Sequence, residues 1–282
     1  MVERLAEAIG RAATRLPEDV VRALESARAA ERSARAAAQL DAILENVRIA
    51  SDEGVPLCQD TGIQTFFVEA GVGSPFLADL RGWIGEAVVR ATEETPLRPN
   101  TVHPLTGANP GDNSGVGMPV IHWDLVDGED LRITILPKGG GSENMSALKM
   151  LPPGVGIAGI KKAIVDHVIA CGGKPCPPTV LGIGIGGGAD AAMKLGKHAL
   201  LRPVGSAHPD DRVAALEEEL LELVNETGVG AMGVGGDTSC LAVHVEIAHR
   251  HPASLPLGIL VQCWADRRAA VLIAADGTLE VV

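Results

Sequence analysis

The 282-residue chain has no tyrosine, and its aromatic residues amount to only 2%. That shortage sets the chain apart but excludes no function by itself. Positive charge is also scarce: 24 Lys and Arg stand against 36 Asp and Glu, a net charge of −12. Such an acidic balance excludes a nucleic-acid footprint and an anionic membrane surface as natural partners. No run approaches the ~18 consecutive apolar residues that a membrane span needs. The first residues, MVERLAEAIGRAATR, carry charges throughout and no apolar stretch, so no secretory leader is expected and a reducing cytoplasm is the expected compartment. The five cysteines (Cys58, Cys171, Cys176, Cys240 and Cys263) are odd in number and widely spaced, which argues against a disulfide framework. In such a compartment scattered thiols are metal ligands, nucleophiles or small buried hydrophobes. No repeat, linker or low-complexity tract is visible. What is abundant is glycine, 34 residues or roughly 12%, against a typical ~7%. Many glycines in a folded chain mark places where the backbone turns sharply or comes close to something. A 46% hydrophobic and 21% charged composition is otherwise that of a folded domain, not of a disordered chain.

The periodicity predicts helices over residues 3 to about 50. Leu40, Ile43, Leu44 and Val47 fall on one face, Pro17 suits the first turn of a new helix, and Gly54 sits just past the last. Strands are predicted at 61–69, 179–185, 241–247 and 257–263, and helices at 80–94, 155–170, 189–200 and 210–226. Glu217, Glu218 and Glu219 are placed on a solvated face of the last of these. Asp127-Gly128 predicts a hairpin between 120–126 and 131–136, and Asp276-Gly277 another in the tail. The expected class is therefore α/β (mixed), with mixed sheets and antiparallel hairpins flanked by helices. The expected organisation is a single domain over 1–282 with a helical N-terminal segment at 1–52.

Five constellations have chemical potential. Gly182, Gly184 and Gly187 fit G-x-G-x-x-G between a strand and a helix, the setting of a dinucleotide fingerprint. Asp210 and Asp211 lie at the right distance for its acidic residue, but no second strand precedes them, so close helix–sheet packing is the better reading. Lys138-Gly139-Gly140-Gly141-Ser142-Glu143-Asn144 follows a strand, lacks the order of a phosphate-binding P-loop, and offers bare backbone N–H groups suited to an anion such as a carboxylate. Pro56-Leu57-Cys58-Gln59-Asp60-Thr61-Gly62 puts a thiol on a turn among polar residues, a better setting for a ligand or nucleophile than a core strand. Cys176-Pro177-Pro178 stiffens the chain beside another thiol. His249-Arg250-His251 precedes a further loop thiol in Cys263-Trp264-Ala265-Asp266-Arg267. The cysteines lack paired zinc spacing. Cys171-x₄-Cys176 matches only the opening of a plant-type ferredoxin run, whose cluster needs four thiolates. A cluster held by three would leave one iron open to act as a Lewis acid.

PLCQDTG at 56–62, KGGGSEN at 138–144, CPPTVLGIGIGG at 176–187 and HRHPASLPLGILVQCWADRR at 249–268 resemble the α subunit of the two-subunit iron–sulfur hydro-lyases. That family comprises class I fumarate hydratases and L(+)-tartrate dehydratases. The resemblance runs in order from about residue 10 to the end. It implies a [4Fe-4S] cluster on Cys58, Cys176 and Cys263 with one open iron, and leaves Cys171 and Cys240 structural. Where single-chain relatives carry an additional cysteine, this chain has Leu255. The resemblance further implies that Gln59 and Asp60 contact substrate, with Asp60 in a catalytic role, and that Arg98 binds a carboxylate, although Pro99 departs from the single-chain pattern. Lys138 and Gly139, Gly140 and Gly141 lie on the substrate loop, and His251 is the active-site histidine. The implied substrate is a small dicarboxylate, fumarate/(S)-malate first and L(+)-tartrate second. A β subunit is implied as partner, carrying the remaining binding groups and the base. A nicotinamide-dependent oxidoreductase and a non-catalytic iron–sulfur scaffold are the readings from other classes.

Overall fold

The computed structural model describes residues 1–282. Its contacts divide into two compact units, each assembled from separate stretches of chain: 1–17, 46–140 and 267–282 in the first, 18–45 and 141–266 in the second. Because neither unit is contiguous, no composition shift or linker marks the division in the sequence. No helix is long and apolar enough to cross a membrane.

The first unit is built on a five-stranded sheet. Its strands are β1 (Ile63–Gly71), β2 (Val120–Val126), β3 (Leu131–Lys138), β8 (Ala269–Ile273) and β9 (Leu279–Val281), in the order β2-β1-β3-β8-β9. Only β1 and β2 run parallel. Helices α1 (Val2–Thr14) and α4 (Leu77–Glu94) supply the other side of the core. Leu5, Ile9, Phe66, Ile84, Ile133 and Val271 are all at 0% exposure there, and each such side chain contributes roughly 1.5–3 kcal/mol by leaving water. The tail hairpin forms as expected, with β8 and β9 paired across Asp276-Gly277. The hairpin expected at Asp127-Gly128 does not form, because β1 lies between β2 and β3. The end of β1 occupies the turn instead: Gly71 N–H donates to Asp130 O (2.9 Å), and Gly73 N–H to Gly128 O (2.9 Å). A Cβ on Gly71 would stand 2.7 Å from Asp130 O, so only glycine admits this approach.

The second unit carries a four-stranded sheet of β4 (Ala147–Leu151), β5 (Thr179–Gly187), β6 (Cys240–Arg250) and β7 (Leu255–Gln262), ordered β4-β7-β5-β6 with only β5 and β6 parallel. Helices α2 (Glu18–Ala30), α6 (Gly156–Cys171), α7 (Ala189–Ala199) and α8 (Asp211–Asn225) accompany it, together with the start of α3 (Ala34–Glu53). The glycines at 182, 184 and 187 did raise a nucleotide-binding reading. In the fold, a Cβ on Gly182 would lie 2.1 Å from Gly196 O and one on Gly184 2.0 Å from Ala192 O. These glycines let α7 pack directly on β5, which accounts for them without a ligand. Asp210 caps α8 by accepting from Arg212 N–H (2.9 Å). Glu217 departs from expectation. Val213, Glu217, Leu220 and Val224 form the buried stripe of α8, and Glu217 is only 5% exposed. Its carboxylate accepts from Arg202 Nη1 (2.6 Å) and Nη2 (3.2 Å), His208 N (3.1 Å) and Val245 N (2.7 Å), which is what makes a buried charge tolerable.

Candidate active site

In the first unit, α3 ends at Glu53, and Gly54 (φ +66°) reverses the chain into the loop that carries Cys58. Leu57 anchors this loop. It is 3% exposed, its N–H donates to Ala13 O (3.0 Å), and its carbonyl accepts from Asn46 Nδ2 (2.8 Å). That anchoring leaves Cys58 and Gln59 at the surface. Asp60 turns the chain with its own side chain, Oδ1 accepting from Gly62 N–H (3.2 Å). Gly62 (φ +81°) admits no side chain, because a Cβ would stand 2.7 Å from Lys138 N. Thr61 Oγ1 donates to Arg98 O (3.2 Å) and accepts from Asn100 Nδ2 (3.3 Å), which ties the loop to the Arg98 segment. Asn113, 4% exposed and at φ +61°, fixes that segment. Its Oδ1 accepts from Asn100 N (2.7 Å), and its Nδ2 donates to Arg98 O (3.2 Å) and Thr92 Oγ1 (3.1 Å).

These constraints shape an open pocket of ≈ 390 Å³ lined by Pro56, Cys58, Gln59, Thr61, Pro96 and Arg98. A thiol, an amide and a guanidinium thus share one concavity, in the size range of small-ligand sites. Behind the loop, the Asp60 carboxylate lies against the end of β3, with Oδ2 3.0 Å from where a Cβ on Gly139 would be and 3.9 Å from one on Gly140. Lys138 is buried at 2% exposure. Arg267, at 1% exposure, donates from Nη2 to Asp60 O (2.9 Å), while its Nε and Nη1 have no protein partner.

In the second unit, Gly141 and Ser142 belong to the short helix α5 (Gly140–Glu143). Ser142 Oγ donates to Gln262 Oε1 (3.4 Å), which couples the glycine-rich segment to the residue before Cys263. Cys176 sits half-buried at φ +56°, a left-handed conformation in which a non-glycine residue is costly. Its carbonyl accepts from Trp264 N–H (3.1 Å), so the structure brings the Cys176 and Cys263 turns together. His251 stands exposed at the tip between β6 and β7. Arg250 Nη1 knits that tip by donating to the carbonyls of His251 (3.0 Å), Pro252 (3.1 Å) and Ser254 (3.0 Å). His251 Nδ1 accepts from Ala253 N–H (3.1 Å), which puts the proton of the neutral ring on Nε2.

None of the five cysteines is in a disulfide, and their settings divide them. Burial pushes the Cys240 thiol up to about 12, and its Sγ donates to Ala242 O (3.1 Å). Burial also raises the Cys171 thiol, against the opposing charges of Lys174 and Lys149. Neither is a thiolate at neutral pH, so neither suits a metal. Cys58 is exposed, and Cys176 and Cys263 are half-exposed on turns. Within neither unit do three His, Cys, Asp or Glu side chains gather into a site for a single metal ion.

Sequence reasoning missed Asn113 and Arg267. Asn113 had a signal in its setting, Gly111-Asp112-Asn113-Ser114-Gly115, a turn-rich stretch where a left-handed Asn is at home. Arg267 lies within the 249–268 motif, but its sequence setting carries no signal of burial.

Residues 2–272 match the family model described as "Fumarate hydratase (Fumerase)". A Methanocaldococcus jannaschii protein provisionally named L(+)-tartrate dehydratase subunit alpha is 52% identical over 272 residues, covering 95% of each chain. The L(+)-tartrate dehydratase subunit alpha of Escherichia coli O157:H7 is 38% identical over 268 residues, covering 95% of this chain and 88% of its own. The protein of that name from Escherichia coli K12 is 37% identical over the same shares.

Proposed function

The chain belongs to the fumarate hydratase (Fumerase) family, and on that premise we propose that it is the α subunit of an iron–sulfur hydro-lyase interconverting fumarate and (S)-malate. The observation that carries the proposal is the pocket of the first unit, where Cys58, Gln59 and Arg98 share one concavity. The donor chemistry suits a three-thiolate cluster: Cys58, Cys176 and Cys263 lie outside any disulfide on accessible turns, whereas the two remaining thiols are buried and protonated. Such a cluster, when bound, supplies a Lewis-acidic iron.

The chain's own groups have separable roles. Arg98 clamps a substrate carboxylate bidentately, a task its planar fork suits better than a lysine would. Gln59 orients the substrate by hydrogen bonding from the next position in the loop. Gly139, Gly140 and Gly141 offer backbone without side chains, and Lys138 adds positive charge at the head of that segment. Asp60, fixed by Gly62 N–H, holds a proton-accepting carboxylate in one orientation. His251 presents Nε2–H as donor or proton carrier. A β subunit completing the site is supported by the "subunit alpha" in the relatives' names, and cysteines outside any disulfide accord with a reducing cytoplasm.

Dehydration of L(+)-tartrate is the second reading, favoured by the names of these relatives. The two are separated by anaerobic reconstitution with iron and sulfide, alone and with the β chain, followed by assays of fumarate hydration and tartrate dehydration. Hydratase activity lost on exposure to oxygen, and absent from C58S, C176S and C263S together with their iron, is the expected result. A loaded cluster with no hydro-lyase activity beside the β chain would leave only the scaffold reading. A variant that keeps its full cluster would refute the ligand set.

A further inference from the structure

Arg267 is among the largest side chains removed from solvent, at 1% exposure, and the protein satisfies it poorly. One nitrogen, Nη2, donates to the Asp60 carbonyl at 2.9 Å. Nε and Nη1 have no partner. Guanidinium groups do not deprotonate to escape such a position. A buried charge with two idle donors is costly unless an anion completes it. The Asp60 backbone is a neutral acceptor and does not compensate the charge. Cavity filling does not account for the residue either, since an apolar side chain of similar volume would fill the space without the penalty.

The location supplies the reason. Arg267 grips the Cys58–Gly62 loop from behind, at the carbonyl two residues beyond Cys58 and one beyond Gln59. We propose that Arg267 is a positioning residue that fixes this loop and supplies the counter-charge for the anion the loop binds. The anion's chemistry is that of a multivalent acceptor, either a thiolate- and sulfide-bearing cluster or a substrate carboxylate. This inference rests on the proposed function for the identity of the anion, but not for the imbalance itself.

The imbalance makes an unusual prediction for the protein without cluster. Removing the guanidinium relieves an unpaired buried charge, so R267M should raise the thermal midpoint of the iron-free full-length chain. The same substitution should weaken the loaded protein: iron release to a chelator should accelerate about tenfold if the cluster is the anion. If the carboxylate is the anion, the KM for fumarate should rise about tenfold while iron release is unchanged. R267K keeps the charge and should fall between wild type and R267M in whichever arm responds. An iron-free R267M chain that melts well below wild type would overturn the inference, because Arg267 would then be ordinary core structure. So would unchanged iron release and KM in a folded R267M protein, or an R267K protein indistinguishable from R267M. If the wild-type chain takes up no iron, the proposed function fails. The melting comparison still decides the role of Arg267.

Discussion

Replacing Glu217 by alanine tests the reading of the second unit most directly. Four hydrogen bonds end on this carboxylate, two from Arg202 and one each from the backbone of His208 and Val245. E217A strands the Val245 N–H on a residue at 0% exposure, a loss of about 1–3 kcal/mol for an unmet buried donor. It also strands Arg202, whose side chain is 17% exposed. Breaking a buried pair from one side costs about 3–5 kcal/mol. The Glu246 carboxylate, 3.6 Å from Arg202 Nη1, stays behind and softens that loss, so the total should sit near the lower bound, about 3 kcal/mol. E217Q keeps the shape and one acceptor oxygen and should cost about half as much. E218A, one position along on the exposed face, should stay within about 0.5 kcal/mol of wild type. Urea unfolding followed by circular dichroism measures all three, with an unchanged slope confirming that the denatured state is not responsible. An E217A protein within about 1 kcal/mol of wild type would refute the claim that these four bonds stabilise the buried Glu217 side of α8.

Glycine substitutions should part sharply. G184A drives a methyl group to 2.0 Å from Ala192 O and should cost about 3 kcal/mol or abolish soluble protein. G82A, with open space around it on α4, should gain roughly 0.5–1 kcal/mol. Thermal melts of the two variants decide. Cys240 should give an alkaline signature. Its folded-state value is raised to about 12 from an ordinary 9.0, so stability is intact below pH 9 and falls by a few kcal/mol as pH climbs towards 12. C240A should flatten that limb of the pH–stability curve, and a curve unchanged by the substitution would contradict the assignment. Iodoacetamide at pH 8, read by mass spectrometry, should label Cys58 in the folded iron-free chain and spare Cys240.

Local patterning made much of the fold legible. The helical N-terminal stretch, α4, α6, α7, α8 and the strands at 179, 241 and 257 all announce themselves by period and flanking turns. Failures arose where tertiary context overrode a local signal. Asp127-Gly128 reads as a hairpin until β1, from more than fifty residues earlier, inserts between the strands it joins. Glu217 lies on the same stripe as Val213, Leu220 and Val224, and that spacing was available in the sequence. Residue type argued for solvent, and only the arrival of Arg202 and two backbone amides makes burial affordable. The candidate loops are legible as motifs, because turn chemistry is local, whereas the pocket that Cys58, Gln59 and Arg98 share is seen only in the fold. The supports of these loops are not legible, since Asn113 and Arg267 act across gaps in sequence that no periodicity encodes.

The interleaving of the two units has a consequence for synthesis. A chain leaving the ribosome has all of the second unit, whose last segment ends at residue 266, before it has the final segment of the first. Until then the five-stranded sheet lacks β8 and β9, and β3 stands as an open edge, an invitation to wrong pairing in a nascent chain. Arg267 opens that last segment, and its bond to Asp60 O closes a separation of 207 residues. That bond to the loop bearing Cys58 therefore forms only after residue 267 has been made, and until then the loop relies on its anchors at Leu57 and Thr61.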